Sequence, residues 1–136
     1  MDLNQVVQRL KNQKSKKDVL KEAYSLTTER YYGKRLHTYW TAIRFFGSDP
    51  EKLWQHPGQL DCAHQNQLLA SLLLGSGMFK KTDIQKRWTP YWGISPHQYL
   101  KVKIDKDEVI NVDPWSSIYG IKLGDYSRWF HTKGNV

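Results

Sequence analysis

The sequence predicts an α+β domain, with helices first and a small antiparallel sheet after them. Up to residue 77, apolar residues recur at helical spacing between capping and breaking residues. In HQYLKVKI, residues 97–104, they alternate instead, and the polar turn DKDE leads into a second β-rich stretch, VINV. Runs of helix followed by runs of strand, rather than their alternation, are the α+β order. With 136 residues the chain has room for one domain with a modest core. It divides into a helical part (1–57), a candidate core (58–115) and a C-terminal extension (116–136).

Leu3, Val6, Val7 and Leu10 predict an amphipathic helix over the first dozen residues. Ser15 followed by Asp18 resembles a capping box and opens a second helix, with Val19, Leu20, Ala23 and Tyr24 on one side. Leu36, Tyr39, Trp40 and Ile43 give a third stripe, ended by Gly47. Ser48-Asp49-Pro50-Glu51 restarts a short helix, a capping side chain followed by proline at the first helical position. Residues 61–75 form the most apolar helix, with Gln65, Leu68, Leu69, Leu72 and Leu73 on one face and Gly75 and Gly77 as terminators. Residues 78–92 read either as a short helix capped at Thr82-Asp83 or as a strand over 84–88, and the strand is favoured. In the strand from His97, Leu100, Val102 and Ile104 face one way and Tyr99, Lys101 and Lys103 the other. VINV returns until Asp113-Pro114 breaks it, and residues 118–123 are expected as a further short strand.

Lys and Arg number 21 against 13 acidic residues, a net charge of +8. Such a surface suits anionic partners, and it is equally what keeps a domain soluble. The single cysteine excludes an internal disulfide and a multi-cysteine zinc site. The opening MDLNQVVQRLKNQ lacks the apolar core of a signal peptide, and residues 68–74 are too short to cross a bilayer. A soluble cytoplasmic protein without membrane attachment is the expectation.

Cys62 sits where a loop containing Pro57 and Gly58 gives way to the apolar helix, not among its leucines. Asp61 as N-cap places Cys62 in the first helical turn, where unpaired N–H groups and the helix dipole stabilise a thiolate or a substrate oxyanion. The alternative is a plain buried thiol. Of five histidines, His64 lies two residues on and points nearly opposite Cys62. His56 reaches it only by a tight fold-back, and His37 and His131 read as surface or packing residues. His97 opens the best strand. If residues 105–107 form a three-residue loop, Ile104 pairs with Glu108 and Tyr99 faces Asp113. His97, Tyr99, Asp113 and Trp115 then share one side of the sheet, with His97 and Asp113 diagonal neighbours. A four-residue loop puts them on opposite faces. Taken singly, His97 is equally an ordinary strand-start residue and Asp113 a turn-forming Asp-Pro.

A cysteine opening a helix, then HQYLKVKI, then NVDPW resembles the core of the transglutaminase-like superfamily, the papain-like cysteine enzymes. The resemblance covers residues 58–115. It implies helices packed on an antiparallel sheet, with Cys62, His97 and Asp113 meeting where helix abuts sheet, and it implies acyl-transfer chemistry. Cys62 attacks an amide carbonyl and forms a thioester, His97 exchanges the proton, and Asp113 holds the imidazole. No metal or organic cofactor is implied. The D-C-A-H context lacks the Gly-x-Cys and following aromatic of many relatives, so the oxyanion donors are assigned to the Cys62 N–H and Gln59, with Trp54 as a weaker choice. Asn66, four residues after Cys62, either braces the site or is a helix-surface residue; Trp115 either walls the cleft or packs in the core.

Peptidase or amidase action on a peptide or protein substrate is the favoured expectation, with transglutaminase-type transfer to an amine as the alternative. A non-catalytic basic module that binds nucleic acid or protein is a further reading, with the aromatics of KRWTPYW between cations as its stacking surface. An enzyme fold kept only for binding is the last.

Overall fold

The structure, a computed structural model, describes residues 1–33, 38–91 and 95–127. It is an α+β fold in the expected order. Helices α1 (Leu3–Lys11) and α2 (Lys16–Arg30) lead to a two-residue strand β1 (Tyr31–Tyr32), and short helices α3 (Thr38–Arg44) and α4 (Pro50–Trp54) follow. A second two-residue strand, β2 (Gly58–Gln59), enters the long helix α5 (Cys62–Gly75). The sheet comprises β3 (Ile84–Tyr91), β4 (Ser95–Asp105) and β5 (Glu108–Val112), in the order β3-β4-β5 and antiparallel throughout.

The caps explain the helix starts. Asp2 and Gln5 form a full capping box on α1, Ser15 accepts the Asp18 N–H on α2, and Asp49 accepts the Lys52 N–H on α4, with Pro50 in the first turn. Helix α5 lies at the centre. Its Leu68, Leu69, Leu72 and Leu73 are fully buried against Val6 and Leu10 of α1, Val19, Leu20 and Ala23 of α2, and Leu100, Val102 and Val112 of the sheet. Each such side chain contributes roughly 1.5–3 kcal/mol by leaving water. The helix that starts with Cys62 is therefore the most firmly held element of the fold. Gly77, at φ 80°, turns the chain out of it.

The β4–β5 ladder pairs Leu100 with Val112, Val102 with Ile110 and Lys103 with Val109. This is the register expected from a three-residue loop, reached differently. Asp105 pairs with Glu108, and a bulge between Lys103 and Asp105 absorbs the odd residue. The Asp105 side chain accepts the Asp107 N–H across the tight turn. Because the bulge restores the offset, Asp113 stays on the His97 side of the sheet.

Other expectations need correction. The segment over 118–123 is not a strand. Asp113-Pro114 instead opens a 3-10 helix, Pro114–Tyr119, which Gly120 ends at φ 90°. Proline fits a first helical position as well as it breaks a strand, and glycine serves there as the left-handed stop. The ambiguous stretch after residue 78 resolves into a 3-10 turn, Lys81–Asp83, followed by β3. In the third stripe, Trp40 and Ile43 of α3 are 65% and 73% exposed, and Phe45, just past the helix, is buried. Leu36 and the side chain of Tyr39 lie outside the described residues. The parallel pairing of β1 with β2, Tyr31 to Gly58 and Tyr32 to Gln59, was not foreseen, because two-residue strands carry no periodicity.

Candidate active site

Three elements deliver the expected groups to one place. Asp61 adopts extended backbone as N-cap of α5, and its carboxylate accepts the His64 N–H, so Cys62 occupies the first turn. The Gln65 N–H returns to the Asp61 carbonyl, which makes Cys62 and Ala63 the remaining amides of that turn. Cys62 is 9% exposed. His97, on the central strand β4, and Asp113, just past the end of β5, are buried, and His97 Nε2 lies 2.7 Å from Asp113 Oδ2. A carboxylate oxygen only accepts, so Nε2 carries the proton of that bond. The Cys62 side chain stands close enough to the imidazole to favour its charged form. With Nε2 committed to Asp113, Nδ1 is the nitrogen on the opposite edge of the ring.

The electrostatics favour a charged imidazole. Burial by itself pushes the His97 pKa down; the charge of Asp113, the hydrogen bond to it and the hydrogen bond to Cys62 together outweigh burial and carry it up to about 10. The carboxylate is held in turn. Asp113 Oδ2 also accepts the Ser127 N–H at 2.8 Å, and Ser127 is fully buried. Residues 121–127 are laid back over the sheet by a Gly124 N–H to Asn111 carbonyl bond and by Tyr126 stacked on Tyr99, with ring centroids 3.9 Å apart. The C-terminal extension thus belongs to the site. Sequence reading missed Ser127, whose backbone amide does the work and leaves no trace in residue type. The phenol of Tyr24 is pushed up to about 12, first by burial and then by the nearby Asp113 charge.

Trp115 walls the site. Its ring packs with Cys62 and Tyr119 and lies 5.2 Å from the His97 ring. It covers the imidazole–carboxylate pair from water, and the backbone of Gly33 lies flat against it. A Cβ at Gly33 would stand 2.4 Å from the indole carbons, so only glycine fits. Sequence reading missed Gly33, since a glycine required for space looks like any turn glycine.

Asn66 is a brace, not a surface residue. Fully buried, its Nδ2 donates to the Gln98 carbonyl at 3.0 Å and to Gln98 Oε1 at 3.2 Å. This ties α5, one turn after Cys62, to β4, one residue after His97. Gln59 is half-buried on β2 and lines a cavity of about 610 Å³. Trp54 does not join the site. Its indole N–H donates to the Met1 carbonyl, its ring lies under the Arg30 guanidinium, and it walls a separate cavity of about 350 Å³ with Leu26 and Glu29. Lying just before the loop in sequence, it turns inward because α4 needs Leu53 and Trp54 for its own burial.

His64 is engaged elsewhere, with Nδ1 2.6 Å from Asp61 Oδ1, and His56 Nδ1 donates to the Lys52 carbonyl. His37 and His131 lie outside the described residues. KRWTPYW falls on the edge strand β3 with Lys86, Arg87 and Trp88 exposed, and Trp92 is outside the described residues. Among the described residues no group of three or more His, Cys, Asp or Glu side chains is placed to hold a metal, and no helix is long and apolar enough to cross a membrane. Compared with known proteins, the sequence matches no protein-family model and no curated protein.

Proposed function

We propose that this chain is a cysteine-dependent acyl-transfer enzyme of the transglutaminase-like, papain-like kind, hydrolysing amide bonds through a thioester on Cys62. The observation that carries the reading is Cys62 at a helix start beside an imidazole that is itself hydrogen-bonded to a carboxylate with no solvent exposure. A structural histidine has no need of a charged partner on one nitrogen and a thiol at a helix start on the other. Perturbed groups converging on a potential nucleophile are the signature of a working site.

The chemistry follows from the geometry. The Cys62 thiolate attacks the amide carbonyl carbon, and the carbonyl π electrons move to oxygen. The first-turn amide of Cys62 is the donor at hand for that oxyanion, with Gln59 as the nearby side-chain candidate. As the tetrahedral centre collapses, the C–N bond breaks and the His97 imidazolium gives its Nδ1 proton to the leaving nitrogen. The neutral imidazole then takes a proton from water whose oxygen attacks the thioester. Collapse expels the thiolate, releases a carboxylic acid and leaves His97 charged again. Asp113 keeps Nε2 protonated throughout, so Nδ1 is always the nitrogen that moves the proton. An amine entering in place of water gives transamidation.

The test is alkylation by iodoacetamide across pH, on wild type and on His97→Ala, with intact-mass readout of Cys62. Wild type is expected to label at neutral and mildly acidic pH, and the variant to lose that reactivity. Superimposable profiles for the two proteins would remove the Cys62–His97 pair from the proposal. Incubation with an activated acyl ester, with and without added glycine amide, then separates hydrolysis from transfer.

A further inference from the structure

We infer that the cavity ending on Gln59 is the acyl-donor subsite and that it takes an acidic peptide segment, read by Arg44. This rests on the acyl-transfer reading for its chemistry; the class of ligand rests on the cavity itself. The cavity, about 610 Å³, falls within the range of ligand sites and is large enough for more than one side chain. Gln59 is three residues before Cys62, so their Cα atoms are at most about 11 Å apart. A chain of two or three residues spans that distance, so the cavity lies within reach of the side chains next to a substrate carbonyl at the sulfur.

The lining selects the charge. Tyr32, Trp40 and Phe45 give apolar walls, and His56 and Arg44 are the titratable and cationic members; among the described lining residues there is no Asp or Glu. The Arg44 guanidinium lies over the Phe45 ring, 5.1 Å from its centroid. Stacking holds the planar fork and leaves its edge N–H groups to meet a carboxylate in pairs. The His56 ring packs on Phe45, 5.8 Å between centroids, and because its Nδ1–H is spent on the Lys52 carbonyl, Nε2 is the nitrogen left for a ligand. Trp40 is 65% exposed at the cavity wall, a cost that a bound segment would repay by covering it. The net charge of +8 adds a long-range field of the same sign.

The test uses the full chain and acetyl-X-X chloromethyl ketones in which X is Glu, Gln or Lys, with iodoacetamide as a probe too small to reach the cavity. The Glu probe is expected to label Cys62 roughly fivefold faster than the Gln probe, as an exposed ion pair allows, and the Lys probe more slowly still. High salt shrinks the preference, and Arg44→Gln abolishes it while iodoacetamide rates stay unchanged. In Cys62→Ser, acetyl-Glu-Glu-amide shifts the Trp40 indole N–H resonance and the Lys counterpart does not. Equal rates for all probes, or a Glu preference that survives Arg44→Gln, would overturn the inference. If instead iodoacetamide labelling is indifferent to His97→Ala, the acyl-transfer reading fails, and the Trp40 resonance alone decides the cavity: a shift with the Glu peptide upholds its ligand class and silence overturns it.

Discussion

Asp113→Asn isolates the charge of the buried carboxylate from its geometry. In the wild type a single oxygen, Oδ2, accepts both His97 Nε2–H and the Ser127 N–H. An asparagine with its carbonyl oxygen in that place keeps both bonds and the imidazole tautomer, and loses only the charge. Burial is the largest influence on His97 and it works against the cation, while Asp113 is the leading influence in the other direction. Without that charge the His97 pKa is expected to fall from about 10 to 6.5 or below. At about pH 7.5 a group of pKa 6.5 is only about one-tenth protonated, so the imidazolium facing Cys62 drops about tenfold. Iodoacetamide labelling should fall by a similar factor. The assay is a histidine NMR titration of both proteins beside alkylation rates at the same pH. An Asp113→Asn protein whose His97 titrates where the wild type does would refute the assignment of Asp113 as the group that holds the charge.

Further outcomes follow from the same contacts. His97 has a folded pKa above its ordinary 6.5, so its contribution to stability is complete below pH 6.5 and is lost as pH rises through about 10. The unfolding free energy of wild type from urea titration should therefore decline over that window by up to about 1.4 kcal/mol per pH unit more than that of His97→Gln. Asn66→Ala strips the buried Gln98 carbonyl of its Asn66 donor and unties α5 from β4. A loss of roughly 1–3 kcal/mol in chemical denaturation, with slower Cys62 alkylation at neutral pH, is the expected result. Gly33→Ala drives a methyl into the Trp115 ring, and overpacking of this kind costs about 1–3 kcal/mol. Its thermal midpoint should fall and acrylamide quenching of tryptophan should rise.

Much of the fold was legible because local chemistry and tertiary packing agree. Ser15, Asp49 and Asp61 each cap the helix their position announces, and the leucine face of α5 is the core. His97 and Asp113 could be placed on one side of the sheet because the parity of β4 and β5 links distant residues by counting alone, whereas Cys62 was joined to them only by the family resemblance. What stayed hidden was structure made by backbone atoms or by space. The Ser127 amide, the flat contact of Gly33 on Trp115 and the two-residue pairing of β1 with β2 have no signature in residue type or period. Trp40 and Ile43 misled for a related reason: helical spacing says which residues share a face, and says nothing about what that face meets.

Cys62 is flanked by two carboxylate–histidine pairs, and the two are committed differently. Asp61 spends one oxygen on the His64 N–H as helix cap and the other on His64 Nδ1, so the whole pair is folded onto the start of α5. The His64 ring then meets Phe45 edge-on, 6.3 Å between centroids. Asp113 belongs to a different element from its histidine, and His97 to a different element from the sulfur. Each link in Cys62–His97–Asp113 therefore depends on tertiary packing: α5 against β4 through Asn66, β4 against β5 through the bulged ladder, and residues 121–127 against Asp113 through the Ser127 N–H. A site assembled from three elements is rigid only if all three are tied, and the ties found here run to the residues next to the working groups. The Asp61–His64 pair fixes the end of the helix that carries the sulfur, and in the proposed mechanism the sheet holds the imidazole that serves it.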